Sequence, residues 1–165
     1  MRRSGISALL SVLPLLTACL YGFAGGGLPA HIKTVAVLPF DNETSAATLQ
    51  RELYDRMRRD VENRLGLRDA TENRADAVVR GRIVRYEPDI PIGYSADPNF
   101  ATTAQRKLLI TVDVEIIDQT TGRTLWSQKG MTAEGTYSET AEVAGRREAV
   151  EKIVNNIVTG AQSQW

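Results

Sequence analysis

The spacing of apolar residues in the first half of the chain changes from a strand pattern to a helix pattern. Residues 32–40 form a short, β-branched apolar run, which predicts a strand covered on both faces. Residues 41–45 are polar and predict a turn, in which Thr44 or Ser45 is placed to cap a helix. Apolar residues then recur every four positions, as on one face of a helix. They are Leu49, Leu53, Met57, Val61 and Leu65, and Gly66 is placed to end the helix.

Three more strands are predicted in the second half. Residues 77–86 and 106–118 alternate between apolar and polar side chains, as in strands with one buried face. Residues 118–123 predict a hairpin turn, and residues 124–137 predict the strand that follows it.

The polar faces of two of these strands carry opposite charges. Arg80 and Arg82 lie on one strand, and Asp113 and Glu115 lie on the next. We expect a cross-strand array of ion pairs of modest strength, and a functional polar surface is the alternative interpretation. Trp126, on the last strand, is expected in the core.

Two further segments complete the prediction. Residues 87–104 contain Pro88, Pro91 and Pro98 and show no periodicity, which predicts a long loop of the kind that is functional or disordered. A last helix, capped by Ser138 or Thr140, is expected to follow the last strand. Its predicted apolar stripe consists of Val143, Val150, Ile153, Val154, Ile157 and Val158.

The order strand, helix, strand, strand, strand, helix favours an α+β fold. We predict a two-layer sandwich in which two helices pack on one face of a four-stranded mixed sheet. The connection through the first helix allows parallel pairing there, whereas the hairpin is antiparallel.

The N-terminus has the pattern of an exported protein. Arg2 and Arg3 precede a short apolar stretch, which ends in small residues before the single cysteine, Cys19. This ending resembles the lipobox of bacterial lipoproteins, and the alternative is an ordinary cysteine in an uncleaved signal anchor. We therefore predict a signal peptide at 1–18, a lipidated flexible tether at 19–30 and a single domain at 31–165. The expected location is the periplasmic face of the outer membrane, anchored by the covalent lipid on Cys19.

Composition removes several classes of function. The chain holds 20 basic and 20 acidic residues, so the basic excess usual in nucleic-acid-binding proteins is missing and no nucleic-acid partner is predicted. With one cysteine and one histidine, neither a Cys/His nucleophile nor a multi-His metal site is available. His31 is interpreted as a surface residue, and Asp41 with Glu43 as turn residues. We expect no enzyme activity, no metal and no cofactor.

Four segments, at 25–44, 75–83, 109–118 and 121–126, agree in order and spacing with a known family. Together, and after the lipobox, they resemble the LptE family of lipopolysaccharide-assembly lipoproteins. The resemblance spans almost all of the chain beyond Cys19, although each motif by itself is a strand or turn pattern.

The resemblance implies a fold and a role. It implies two helices on a four-stranded sheet, and a plug in the lumen of the LptD-type outer-membrane β-barrel that helps the barrel to assemble. It also implies that the protein helps to deliver lipopolysaccharide to the outer leaflet and catalyses no covalent change. The family's lipopolysaccharide contacts are basic residues near loop tips. Arg85, Arg106 and Lys107 flank the long loop and are our candidates, against the alternative of a solvated strand edge.

A second resemblance belongs to a different class. Residues 35–42 and the hairpin around 121–126 also resemble periplasmic lipoproteins of the curli-secretion and peptidoglycan-synthase-activator types. The segments at 25–29 and 75–81 favour the LptE family. A secretion subunit would also need a membrane-spanning hairpin, for which the Pro-rich segment 87–104 is a poor candidate.

Overall fold

The fold is a mixed β-sheet with two long helices. A computed structural model describes residues 28–92, 105–138 and 141–163. The elements are β1 (Thr34–Val37), β2 (Asp41–Asn42), α1 (Ala47–Leu65), β3 (Arg68–Asp69), a 3-10 turn (Glu72–Arg74), β4 (Ala77–Pro91), β5 (Gln105–Asp118), β6 (Thr124–Ser138) and α2 (Glu142–Ser163). In this described part of the chain, neither helix combines the length and the apolar character needed to cross a membrane.

Within the described residues the sheet has six strands, so the predicted number of four was wrong. The main order is β3-β1-β4-β5-β6, and β2 pairs with β4. β1 is parallel to β3 and β4, whereas β4, β5 and β6 form an antiparallel meander. The parallel pairing through the first helix and the antiparallel hairpin are therefore confirmed. β2 and β3 are two residues long, too short to show any periodicity.

The predicted loop at 87–104 begins too early. β4 continues to Pro91 and pairs with β5 as far as Arg106. The register shifts between Glu87 and Ile90, where Asp89 has a positive φ of 76°. This irregularity allows the strand to continue past Pro88. The proline and the register shift interrupt the alternation of apolar and polar residues, so the sequence does not show that the strand continues. Residues 93–104 of the predicted loop lie outside the described residues.

One core holds the helices against one face of the sheet. Buried residues of α1 and α2 join those of β1, β4, β5 and β6 in a single cluster, which includes Trp126 as predicted. The α1 stripe is confirmed, with Leu65 partly buried. The α2 stripe is confirmed except for Val143, which is 56% exposed. At this first turn the backbone of Gly145 lies directly against Gly135 of β6, which leaves no room for a side chain between helix and strand.

Burial on both faces of β1 is also confirmed. Val35 and Val37 belong to the main core, whereas Ala36 belongs to a small second cluster with Ala75 and Val78. β1 is thereby fixed between β3 and β4.

The start of α1 differs in detail from the prediction. Thr44 and Ser45 lie in the turn, but the N-cap position is Ala46, which makes no side-chain capping bond. Asn42 orders the turn instead, because its side chain accepts from the Thr44 amide at 3.0 Å and donates to the Ala46 carbonyl at 3.0 Å. Gly66 ends the helix with a φ of 66°, as predicted.

Candidate functional surface

The face of the sheet opposite the helices carries the predicted array of ion pairs. The Arg80 side chain donates to Glu115 at 2.7 Å, and the Arg82 guanidinium donates to Asp113 from two nitrogens at 3.0 and 2.9 Å. The register places Arg80 opposite Glu115 and Arg82 opposite Asp113, which is why the pairs form. Arg82 also lies 3.5 Å from Glu43.

Asp113 has a second partner on β6. The Gly130 amide donates to its other carboxylate oxygen at 2.7 Å. This bond, followed by that from Arg82, lowers the pKa of Asp113 below its ordinary value. The carboxylate is therefore held in its charged form as part of the structure.

A depression of about 480 Å³ lies over these pairs. Its charged lining consists of Asp41, Arg80, Arg82, Asp113, Glu115 and Lys129. The sign of the charge alternates from one strand to the next, and most of these side chains are ion-paired with each other. The surface is therefore polar without strong charge of either sign. In the described residues no group of His, Cys, Asp or Glu is arranged to hold a metal ion. Asp41 and Glu43 have different surroundings: Asp41 lines the depression, whereas Glu43 is ion-paired with Arg82. The arrangement suits contact with a polar surface.

The three candidate lipopolysaccharide contacts lie near the far end of the β4–β5 hairpin, and each has an acidic partner. Arg85 lies 3.3 Å from Glu87, and Lys107 lies 3.0 Å from Glu134. Arg106 pairs with Asp89 at the register shift of β4.

The structure brings two of the three onto one face. Arg85 pairs in register with Thr111, and Lys107 with Thr136, so both share the open face with the ion-pair array. Arg106 is the neighbour of Lys107 on β5 and pairs with the buried Tyr137, which puts it on the helix-bearing side. The three cations therefore surround the end of the hairpin instead of forming one cluster. Their role in binding stays a prediction.

The opposite end of the sheet is fixed by Asp118, whose importance the sequence reading missed. This buried carboxylate accepts from the amides and hydroxyls of Thr120 and Thr121, and lies 2.8 Å from the His31 ring. The order Asp-x-Thr-Thr-Gly at 118–122 is the signal that could have identified it, since Asp side chains cap tight turns. His31 is exposed, in agreement with its interpretation as a surface residue.

Asp118 predicts a loss of stability in acid. The hydroxyls of Thr120 and then Thr121 hold the pKa of Asp118 far below its usual range, which means that folding favours its ionised form. Its contribution is present above about pH 4, the unfolded value, and is lost as the pH falls from there toward the lower folded pKa. Urea unfolding at pH 6, 4, 3 and 2 should show the wild-type advantage over Asp118→Asn shrinking below pH 4. A difference that stays constant or grows would contradict this assignment.

Comparison with known proteins decides the family. The model of the LptE family, described as lipopolysaccharide-assembly, matches residues 32–159. The chain belongs to the LptE family. The match includes all six strands and α1, and extends into the last turns of α2. A search of curated proteins finds no match.

Solved structures support the fold of this LptE-family protein. The PelC dodecamer of Paraburkholderia phytofirmans is 16% identical, with a TM-score of 0.52, over 86% of this chain and 95% of that one. A putative lipoprotein of Caulobacter crescentus is 12% identical, with a TM-score of 0.50, over 77% of this chain and 88% of that one. At such identities the likeness concerns the fold alone, and it agrees with two helices on a mixed sheet.

The motifs that match the family hold structural residues. The residues of the matching motifs, such as Asp76 and Asp118, form turns and bind backbone groups: Asp76 accepts from the amides of Lys33 and Thr34 at 2.9 Å. The motifs of this LptE-like protein therefore maintain the scaffold. Cys19 lies outside the described residues, and its lipidation stays a prediction.

Proposed function

We propose that this protein is a lipoprotein of the outer membrane that plugs an LptD-type β-barrel, assists its assembly and helps to deliver lipopolysaccharide to the outer leaflet. The observation that carries the proposal is the family match over residues 32–159. In this role the protein acts by contact and catalyses no covalent change.

The open sheet face supports a place inside a barrel lumen. Barrel interiors are polar, so a plug needs a polar surface without large unpaired charge. Arg80, Arg82, Asp113 and Glu115 provide one, since their charges are already compensated by cross-strand pairs. Such a face contacts a polar wall without leaving a buried charge alone, which would be costly.

The proposed anchor is the lipid on Cys19. A tether of about 12 residues in the flexible regime has a typical reach of roughly 20 Å, enough to let the body enter a barrel while its lipid stays in the periplasmic leaflet. Stable anchoring takes more than one acyl chain, as expected of a bacterial lipoprotein.

Depletion of the protein in its own bacterium tests the role. If it assists barrel assembly, the folded LptD-type barrel and surface lipopolysaccharide should fall together as the protein is lost. If it belongs to the curli-secretion or synthase-activator class, the barrel should stay at its normal level while secretion or cell-wall cross-linking changes. The second outcome would overturn the proposal.

Charge reversal at the hairpin end tests the proposed lipopolysaccharide contacts. We expect Arg106→Glu/Lys107→Glu to weaken binding of purified lipopolysaccharide at least tenfold. Two cation–phosphate contacts at about 1 kcal/mol each, together with new repulsion, are sufficient for this loss.

The control is Arg58→Glu/Arg59→Glu, which reverses two adjacent cations on α1; these are exposed, whereas Arg106 and Lys107 are half-buried. Both variants change the net charge equally; the binding variant breaks the pairs of Arg106 with Asp89 and of Lys107 with Glu134, and the control breaks the pair of Arg58 with Asp69 at 2.6 Å. Equal loss of binding in both variants, or no loss in either, would remove Arg106 and Lys107 from the binding site.

A further inference from the structure

Two bulges cross the antiparallel meander at the same level. In β4 the pairing with β5 shifts between Ile83 and Arg85, opposite Val112 and Thr111. In β6 the pairing with β5 shifts opposite the interval from Val112 to Val114. Bulges bend and twist strands locally, so the meander has a bend line at this level.

The part of the meander beyond the bend line has less support than the rest of the sheet. β1 and β2 pair with β4 no further than Ile83, so from residue 84 onward β4 pairs with β5 alone among the described strands. We call this outer part the arm; it consists of residues 84–91 of β4, 105–111 of β5 and 132–138 of β6. The arm carries the three candidate lipopolysaccharide contacts, Arg85, Arg106 and Lys107.

The N-terminal turns of α2 hold the arm at β6. The backbone of Gly145 rests directly on Gly135, where a Cβ would stand 1.8 Å from the Gly145 carbonyl oxygen. Glu148, one turn further along the helix, accepts from the Thr136 amide at 3.0 Å. These contacts involve β6 alone, so β4 of the arm needs a support of its own.

Tyr86 provides that support from β4. Its ring packs against the main core, and its hydroxyl donates to the Glu142 carboxylate at 2.6 Å. Glu142 is the first residue of α2 and also accepts from Arg146, whose guanidinium donates to Glu52 of α1. Tyr86 thus ties the arm to both helices, at a point between the bend line and the register shift at Asp89.

We propose, on the basis of the proposed lipopolysaccharide contacts, that Tyr86 is a positioning residue, which fixes the arm through Glu142 so that its cations meet the phosphates of one lipopolysaccharide molecule together. Arg85 directly precedes Tyr86, and Arg106 is ion-paired to β4 three residues further on. A change in the course of β4 therefore moves these two cations relative to each other and to Lys107 on β5.

Tyr86→Phe tests this role, because it keeps the ring and removes only the hydroxyl. In the full chain purified in detergent, amide hydrogen exchange within residues 84–91 and 105–111 should become about threefold faster or more, while α1 keeps its rates. Binding of purified lipopolysaccharide should weaken by about the same factor. Glu142→Ala should have both effects, and Tyr86→Phe/Glu142→Ala should be no worse than Glu142→Ala alone, because the two changes remove the same bond.

The matched control is Tyr54→Phe. Tyr54 is also half-buried against the main core, but it lies on α1, so exchange in the arm and lipopolysaccharide binding should stay at their wild-type values. If Tyr86→Phe speeds exchange in the arm no more than this control, or speeds it without weakening binding, the positioning role is wrong. A wild type that binds no lipopolysaccharide, while Tyr86→Phe still loosens the arm, would contradict the proposed contacts and leave Tyr86 as the support of β4.

Discussion

Gly135→Ala is expected to cost about 3 kcal/mol of unfolding free energy, at the upper end of overpacking effects. A Cβ at this position would stand 1.8 Å from the Gly145 carbonyl oxygen and 2.5 Å from its carbonyl carbon. Both atoms belong to the backbone, so relief requires α2 to move away from β6. That movement would open the core beneath Val150 and Ile153. Urea unfolding measures the loss, and the melting temperature should fall by roughly 10 °C.

Gly66→Ala is the control for this substitution. It is also a glycine-to-alanine change, but nothing lies within 4 Å of the new Cβ, and only the φ of 66° is unfavourable. Its expected cost is about 1 kcal/mol, the usual penalty of a left-handed residue. If Gly135→Ala costs no more than Gly66→Ala, the close contact between β6 and α2 does not exist in solution.

Arg146→Met is expected to cost about 2 kcal/mol, because Arg146 joins both helices to the sheet. Its guanidinium donates to the two Glu52 oxygens at 2.9 and 3.0 Å and to Glu142 at 3.1 Å. Glu142 also accepts from the Tyr86 hydroxyl at 2.6 Å, and burial, then this bond, raises the pKa of Tyr86 to about 12. Only 12% of the Arg146 side chain is exposed, against 33% of Glu52 and 45% of Glu142, so its removal leaves two half-buried carboxylates without their cation. Urea unfolding at pH 7 measures the change.

A second substitution separates the ion pair from packing. Arg146→Met/Glu52→Leu should recover at least half of the loss, because the main uncompensated carboxylate is then gone. Arg58→Met, which breaks the exposed pair with Asp69, should cost less than about 1 kcal/mol. Equal costs for Arg146→Met and Arg58→Met would show that the half-buried pair contributes no more than an exposed one.

The ion-pair array could be predicted from the alternation of apolar and polar residues along the two strands. Alternation with a period of two predicts one polar face that carries Arg80, Arg82, Asp113 and Glu115. The antiparallel register then sets each arginine opposite an acidic residue. The order of strand-like and helix-like patterns along the chain likewise predicts two helices on a mixed sheet. The two-residue strands β2 and β3 could not be predicted, because they are too short to show a pattern and their pairing depends on tertiary position.

Features that depend on close approach between elements were invisible in the sequence. Glu148 and Lys152 look like an ordinary i,i+4 pair on a solvated helix face. Their bonds to the backbone of β6 depend on Gly135 and Gly145, which carry no periodic signal. The pairing of Arg106 with Asp89 depends likewise on the irregularity of β4 at Asp89, which a Pro-rich segment conceals.

The measurement that most directly tests the barrel role is affinity purification of the Cys19-anchored protein from detergent-solubilised outer membranes, with mass spectrometry of its partners. The proposed function predicts a single large LptD-type β-barrel in roughly equal amount. Recovery of a peptidoglycan synthase, or of a ring of this chain without any barrel, would contradict it.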